Sequence, residues 1–259
     1  MAGVTAEKRV VILPDAEQLA DAVAARFLSR LVKITGTGAL AHISLTGGSM
    51  GGRVLEAAAA HSRSSEVDWS LVHLWWSDER FVPRGDADRN DGQAFTALTG
   101  VGIPAENVHT MAGSDDGLTL EDAARAYTAE LARFADDEVG GWPSFDICFL
   151  GVGPDAHIAS LFPDRPEIRV TDASVLPVRD SPKPPPERLT LTRPVINSSQ
   201  RVWLVLSGAD KASALGLALA GASYQSVPAA GAKGRSRTVF FVDEAAAAKV
   251  PPELIDAEY

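Results

Sequence analysis

A chain of 259 residues with 46% hydrophobic content and mean hydropathy near zero has room for a full globular core, in one large domain or two small ones. Its formal charge of -10 argues against nucleic acid or an anionic membrane surface as a partner, and no run reaches the roughly 18 apolar residues of a membrane span. The single cysteine, Cys148, precludes an intramolecular disulfide, and with no signal-peptide profile at the N-terminus the expected compartment is the cytoplasm.

In chain order, Val10–Leu13 predicts a short strand, and Asp15 with Gln18 has the spacing of a helix-capping box. Leu19, Val23, Phe27 and Leu31, with Ala20, Ala24 and Leu28, then recur on one helical face. Ala39–Leu45 predicts a second strand, broken at Thr46-Gly47-Gly48-Ser49, with a helix from about Gly52 to Ala60. Leu71–Trp76 predicts a third, ending at Ser77-Asp78-Glu79-Arg80 and followed by a polar loop to Gly92. A helix with Ala124, Tyr127, Leu131 and Phe134 inward precedes the apolar strand Phe145–Leu150. Residues 163–188 are proline-rich and expected to be irregular, Ser181–Pro186 most of all. Arg201–Leu206 and Thr238–Val242 complete the strands, with a helix from about Lys211 to Ala220 between them. The acidic, alanine-rich stretch from Asp243 onward predicts a terminal helix or a frayed tail. Alternating strands and helices predict a doubly wound α/β fold: a mostly parallel, Rossmann-like sheet with helices on both faces. Residues 1–259 read as a single domain, with ends (about 1–8 and 250–259) expected to fray.

The segment Gly151-Val-Gly-Pro-Asp155-Ala-His157-Ile-Ala-Ser-Leu-Phe162-Pro163 follows the strand at 145–150. Its glycines and proline force a loop, and in extended chain Asp155 and His157 point to the same side. An acid/base pair at the carboxyl end of a buried strand is where open α/β sheets place ligands. A capping aspartate and a histidine bonded to a nearby carbonyl would account for the pair equally well.

Thr46-Gly47-Gly48-Ser49-Met50-Gly51 joins a strand to a helix, where backbone N–H groups and the helix's positive end suit a phosphate. An ordinary glycine turn is the plainer reading. It is not a Walker loop and lacks the G-x-G-x-x-G spacing, so a nicotinamide cofactor is unsupported. The same letters match the nucleophile elbow G-x-S-x-G, which makes a serine hydrolase with His157 as base a competitor. Against that stand the chain order of its acid and the few strands before Ser49.

Asp78-Glu79-Arg80 puts three charges directly after Trp75-Trp76, costly near a core unless solvated or paired. A solvated loop and a ligand-facing cluster both fit. Arg188-Leu-Thr190-Leu-Thr192 sets a guanidinium, suited to bidentate phosphate contact, beside a strand-like alternation. In Ser207-Gly-Ala-Asp210-Lys211, Asp210 is the expected N-cap. Lys211 in the first helical turn opposes the macrodipole unless an anion sits there, though solvent exposure also explains it. His42, His61, His73 and His109 show no metal-ligand spacing and are expected to be structural or superficial; no metal is expected.

Together and in this order, these motifs resemble the 6-phosphogluconolactonase family. The matching residues are Thr46-Gly-Gly-Ser49, Asp78-Glu-Arg80 with Val82-Pro83 and Asn90, Gly151-x-Gly-x-Asp155-x-His157-x-Ala-Ser-Leu-Phe-Pro163, Arg188-x-Thr-Leu-Thr192 and Gly208-x-x-Lys211. The resemblance implies hydrolysis of a phosphorylated sugar lactone, 6-phospho-D-glucono-1,5-lactone, in the oxidative pentose phosphate pathway, with no cofactor. It implies a catalytic pair, His157 and Asp155, in which a neutral imidazole takes a proton from water and returns it to the leaving oxygen. The substrate and its phosphate would be held by Gly47, Gly48 and Ser49 with Asp78, Arg80, Arg188 and Lys211. Oxyanion donors are expected among the N–H groups near Gly47–Ser49 or Gly151–Gly153.

The related glucosamine-6-phosphate deaminases carry a glutamate five residues after the histidine, where this chain has Phe162, and an aromatic after Asp-Glu, where it has Arg80. Phe162 cannot relay a proton, which favours the lactonase. A non-catalytic sugar-phosphate sensor would keep the glycine turn and lose the base, but Asp155 and His157 are intact. The family usually has glycine where this chain has Ala156; if that backbone needs positive φ, alanine costs on the order of 1 kcal/mol. Oligomeric state is left open, a monomer included.

Overall fold

Strand β1 (Lys8–Leu13) runs into Asp15, whose Oδ1 accepts the N–H groups of Glu17 (3.0 Å) and Gln18 (2.9 Å) and so starts helix α1 (Ala16–Thr35). The computed structural model describes residues 8–250 together with 252 and 255, so the expected fraying of the two ends lies for the most part outside the described residues. The remaining elements follow as β2 (Ala41–Leu45), α2 (Gly48–Ala60), β3 (Val72–Trp76), β4 (Asp78–Arg80), α3 (Asn90–Ala97), α4 (Leu120–Ala132), β5 (Ile147–Gly151), β6 (Val175–Val178), β7 (Arg188–Leu191), α5 (Arg193–Asn197), β8 (Arg201–Leu206), α6 (Ala212–Leu219) and β9 (Arg237–Asp243).

Six strands form a parallel sheet in the order β1-β9-β8-β5-β2-β3. Every residue of β3 is buried, as are all but the first of β8 and β9. Such continuous burial requires cover on both faces of the sheet, as in a doubly wound fold. Phe149 on β5 meets Phe27 of α1 edge-on at 5.3 Å and Trp203 of β8 at 5.4 Å, forming the aromatic layer between sheet and helix. Among the described residues no helix is long and apolar enough to cross a membrane.

Several local expectations change. Residues 163–188 are not wholly irregular: β6 lies within them and, with β7 and β4, makes a small antiparallel sheet in the order β4-β7-β6. Its edge position tolerates Pro177, which lacks an N–H. Asp78-Glu79-Arg80, read as the start of a loop, is the other edge strand. The polar run before Gly92 contains the start of α3, because Glu79 accepts the N–H groups of Asn90 (2.7 Å) and Asp91 (2.8 Å) and caps that helix from a distance. Helix α2 begins at Gly48, earlier than expected, so the glycine turn is itself the helix N-terminus. Asp210 does not cap α6; it pairs with Lys211, while Asp243 accepts the Gly208 N–H (3.0 Å) and the Ser207 hydroxyl (2.6 Å). Among the described residues beyond Asp243 the chain makes a 3-10 turn, Ala246–Lys249; the rest of the expected terminal helix or frayed tail lies for the most part outside them.

The order β8-β5-β2-β3 makes neighbours of four strands whose carboxyl ends lead into Ser207, Val152, Thr46 and Ser77. The segments that begin at Thr46, Ser77, Gly151 and Ser207, each singled out in the sequence, thus leave the parallel sheet on that one edge.

Candidate active site

A cavity of about 290 Å³ opens there. Gly47, Gly48, Ser49, Asp78, Arg80, His157, Arg188 and Lys211 all line it, and Asp155 stands behind His157. Lys183, from the proline-rich stretch, lines it as well and was not anticipated.

Asp155 Oδ1 and His157 Nδ1 are 2.6 Å apart. They converge through a tight turn and not through extended chain. The Ala156 N–H donates to the Gly153 carbonyl (2.9 Å), the Gly153 N–H to that of His157 (3.0 Å), and Ala156 adopts φ +67°. The positive φ that would favour glycine is therefore present, with alanine in it. A Cβ on Gly153 would lie 2.1 Å from His157 Nδ1, so glycine is what lets the pair fold back over the backbone. Burial opposes ionisation of Asp155, but the His157 hydrogen bond and the attraction of the His157 ring and the Lys183 ammonium hold its carboxyl well below the ordinary range. An ionised Asp155 can only accept, so Nδ1 carries the proton and Nε2 is the ring's basic edge. Phe162 packs on the imidazole at 4.6 Å between centroids and offers it no proton-carrying group.

Gly47 caps α2 with no side-chain bond, leaving the first-turn N–H groups without a side-chain acceptor beside the cavity. A Cβ on Gly47 would meet Asn90 Oδ1 at 1.7 Å, which ties the glycine turn to the β4–α3 segment. Thr46 Oγ1 accepts the Gly151 N–H (3.2 Å) and joins the turn to the dyad's strand. Ser49 is exposed, and no described hydrogen bond links it to a histidine, so the nucleophile-elbow reading has no base in place.

Asp78 is buried; its Oδ2 accepts the Ser160 hydroxyl (2.7 Å). Arg80 donates to the Asp88 carbonyl, and its buried Nε has no protein acceptor. Glu79 faces inward with Arg89 (3.7 Å); burial pushes its carboxyl up to about 7 against the opposing Arg89 charge and helix N–H bonds. Arg89, fully buried, forks onto both oxygens of Asp91. This network is structural, and the lone Asp-Glu-Arg triplet did not reveal it. Arg188 is buried, with Nη1 3.5 Å from Ser160 Oγ. Lys211 reaches Asp210 Oδ2 at 3.0 Å, a local partner that accounts in part for a cation at that helix start.

The other histidines are elsewhere. His42, His73 and His109 cluster beneath Trp75, and His61 Nδ1 accepts the Arg63 N–H at 3.0 Å. Among the described residues no group of three or more His, Cys, Asp or Glu could hold a metal. Burial pushes the Cys148 thiol up to about 12, unsuited to a nucleophile.

A parallel α/β sheet with a polar cleft at its carboxyl edge defines the class of this chain. A model of the glucosamine-6-phosphate isomerases/6-phosphogluconolactonase family matches residues 14–241, and the chain belongs to that family. A 6-phosphogluconolactonase of Streptomyces coelicolor is 45% identical over 250 residues, covering 95% of this chain and 96% of its own. One of Mycobacterium tuberculosis is 44% identical over 245 residues, covering 93% and 98%. The structure of 6-phosphogluconolactonase from Thermotoga maritima superposes with a TM-score of 0.78 at 28% identity, over 92% of this chain and 100% of that one. That from Trypanosoma brucei has a TM-score of 0.82 at 23% identity, over 95% and 100%, and repeats the fold.

Proposed function

We propose that this chain is a lactone hydrolase that converts 6-phospho-D-glucono-1,5-lactone and water to 6-phospho-D-gluconate, a step of the oxidative pentose phosphate pathway carried out in the cytoplasm. The observation that carries the reading is the Asp155–His157 pair, 2.6 Å apart, whose imidazole lines a cavity shared with the N-terminus of α2.

Water attacks the lactone carbonyl as His157 Nε2 takes its proton, and Asp155 holds the ring and compensates the imidazolium. The tetrahedral oxyanion collapses, the bond from the carbonyl carbon to the ring oxygen breaks, and the proton on Nε2 passes to that oxygen. N–H groups near Gly47–Ser49 or Gly151–Gly153 stabilise the oxyanion. The phosphate rests on the first turn of α2 at Gly47, Gly48 and Ser49, with Arg80, Arg188 and Lys211 supplying charge and Asp78 positioned by Ser160 among them. The buried, unpartnered Nε of Arg80 supports a ligand at that end. A chain of net charge -10 can still draw a dianion here, because the local field is set by these cations.

The test is the loss of fresh 6-phosphogluconolactone above its spontaneous rate, with glucosamine-6-phosphate and ammonia detection in parallel. His157→Ala should lower kcat by about 10²–10⁴-fold with product affinity nearly intact. Wild-type kcat in that variant removes the base assignment, and ammonia release without lactone loss removes the reaction.

A further inference from the structure

We propose that Lys183 is a positioning residue of this same reaction: a proline-rich loop clamped by Arg188 holds it against Asp155 and His157, where it sets the pH range in which His157 is a base. The inference rests on the hydrolytic reading above for its consequence, but not for its geometry.

Residues 179–187 join β6 to β7, whose pairing closes at Val178 and Arg188. Pro182, Pro184, Pro185 and Pro186 have no N–H, so the loop cannot form a ladder and its carbonyls need outside donors. Arg188 supplies them: Nε donates to the Pro185 carbonyl (3.1 Å), and Nη2 to those of Lys183 (3.1 Å) and Pro184 (2.9 Å). Ser181 closes the loop, its N–H donating to the Pro186 carbonyl (3.0 Å) and its Oγ accepting the Lys183 N–H (3.3 Å). The buried Arg188 side chain thus fixes the backbone from the Lys183 carbonyl to Pro185, and Ser181 holds the Lys183 N–H. Only Nη1 of Arg188, with Ser160 Oγ at 3.5 Å, remains for a phosphate.

From that loop the Lys183 ammonium lies 3.4 Å from Asp155 Oδ1 and 3.4 Å from His157 Nδ1. Both partners are part-exposed, so the ion pair adds little to stability. Its effect falls on the imidazole. A carboxylate at 2.6 Å fixes the ring but also stabilises the imidazolium, which is useless as a base. The ammonium can donate to Asp155 but not to a protonated Nδ1, and its charge offsets the carboxylate's. The ring keeps its orientation beside two groups of opposite charge. The other groups around His157 are the Phe162 ring, the Arg188 guanidinium over that ring at 5.8 Å, and Asp78, Arg80 and Lys211 lining the same cavity. None of these meets Nδ1 as Lys183 does.

The test compares wild type, Lys183→Met, Lys183→Arg, Arg188→Lys and the double variant Lys183→Met/Arg188→Lys. Two readouts are used: kcat/KM for 6-phosphogluconolactone from pH 5.5 to 8, and titration of the His157 ring protons by NMR in the free enzyme. In Lys183→Met the acid limb and the NMR midpoint should both move up by about one pH unit at low salt, with KM nearly constant. Lys183→Arg should restore both. Arg188→Lys, which keeps a cation but cannot hold three carbonyls, should raise KM and move the limb the same way, and the double variant should move it no further. Lys183→Met alone decides the matter if Arg188→Lys fails to fold. An unmoved NMR midpoint, or an equal fall in rate at every pH, overturns the inference. A wild type without lactonase activity but with the NMR shift would overturn the functional reading and leave the role of Lys183 standing.

Discussion

His157 stands at the rim of the sheet between a carboxylate and an ammonium, whereas His42, His73 and His109 pack among one another beside Trp75 and Phe134. His42 and His73 are register partners on β2 and β3, and His73 Nδ1 is 2.9 Å from His109 Nε2. His109 in turn meets Glu130 Oε1 at 2.7 Å and stacks on Trp75 at 3.8 Å, and the Trp75 indole donates to His42 Nδ1 at 3.2 Å. Burial, reinforced by the charges of His73 and His109, drives His42 down to about 4, and burial lowers His73 and His109 too. The inner histidines are polar aromatics that complete a hydrogen-bond chain. The outer one faces a cavity with both signs of charge in reach. Access to water and to compensating charge separates the proposed base from the packing histidines, and residue type does not.

The largest effect expected from breaking this contrast comes at Gly153. Alanine there would put Cβ 2.1 Å from His157 Nδ1 and 2.3 Å from Asp155 Oδ1, so the pair must part. Gly153→Ala should lower kcat about 10²-fold while the chain still folds, because the turn lies outside the sheet. Turnover and the melting temperature, measured together, check this; an unchanged kcat would mean that orientation by Asp155 is dispensable.

The inner cluster offers the complementary test. His42 titrates near 6.5 when unfolded and about 4 when folded, so the unfolded chain binds the extra proton between those values. Its contribution is fully present above pH 6.5 and is lost as the pH falls toward 4, with a slope of at most about 1.4 kcal/mol per unit. His42→Asn keeps an acceptor for the Trp75 indole but does not titrate. Urea unfolding from pH 7 to 4 should show a flatter decline in the variant, with kcat at pH 8 unchanged. Parallel declines would place the acid sensitivity elsewhere.

The sequence exposed these two settings unequally. Strands such as Arg201–Leu206 and Val72–Trp76 were legible because parallel strands buried on both faces are continuous apolar runs. The loops at their carboxyl ends were legible because glycine, proline and charge interrupt those runs abruptly. Residues 175–178 were not, since Pro177 is compatible with an edge strand only once its partner is known. Helix α3 was hidden for a similar reason: its capping carboxylate, Glu79, is eleven residues upstream. Lys183 could have been suspected from four prolines whose carbonyls lack local donors, followed by an arginine at 188. The histidine cluster had no such signal, because β2–β3 pairing brings residues 42, 73 and 109 together across unrelated spacings.

Ala156 gives the smallest and most precise test. Its φ of +67° costs an L-residue about 1–2 kcal/mol, which the surrounding bonds impose: its N–H reaches the Gly153 carbonyl (2.9 Å), and its own carbonyl accepts from Ala229 (3.0 Å). Glycine would remove that strain but add about 0.4–1 kcal/mol of unfolded-chain entropy, and it would forfeit a buried methyl group. Ala156→Gly should therefore stabilise the chain by only about 0.5 kcal/mol, read as a rise in the urea midpoint, with kcat within about twofold of wild type. The Asp155–His157 distance is set by the turn's hydrogen bonds, and the methyl group has no part in it. A midpoint that falls would mean that packing of the Ala156 methyl outweighs the backbone strain. A kcat that rises well beyond twofold would mean instead that alanine holds the catalytic pair away from its best geometry.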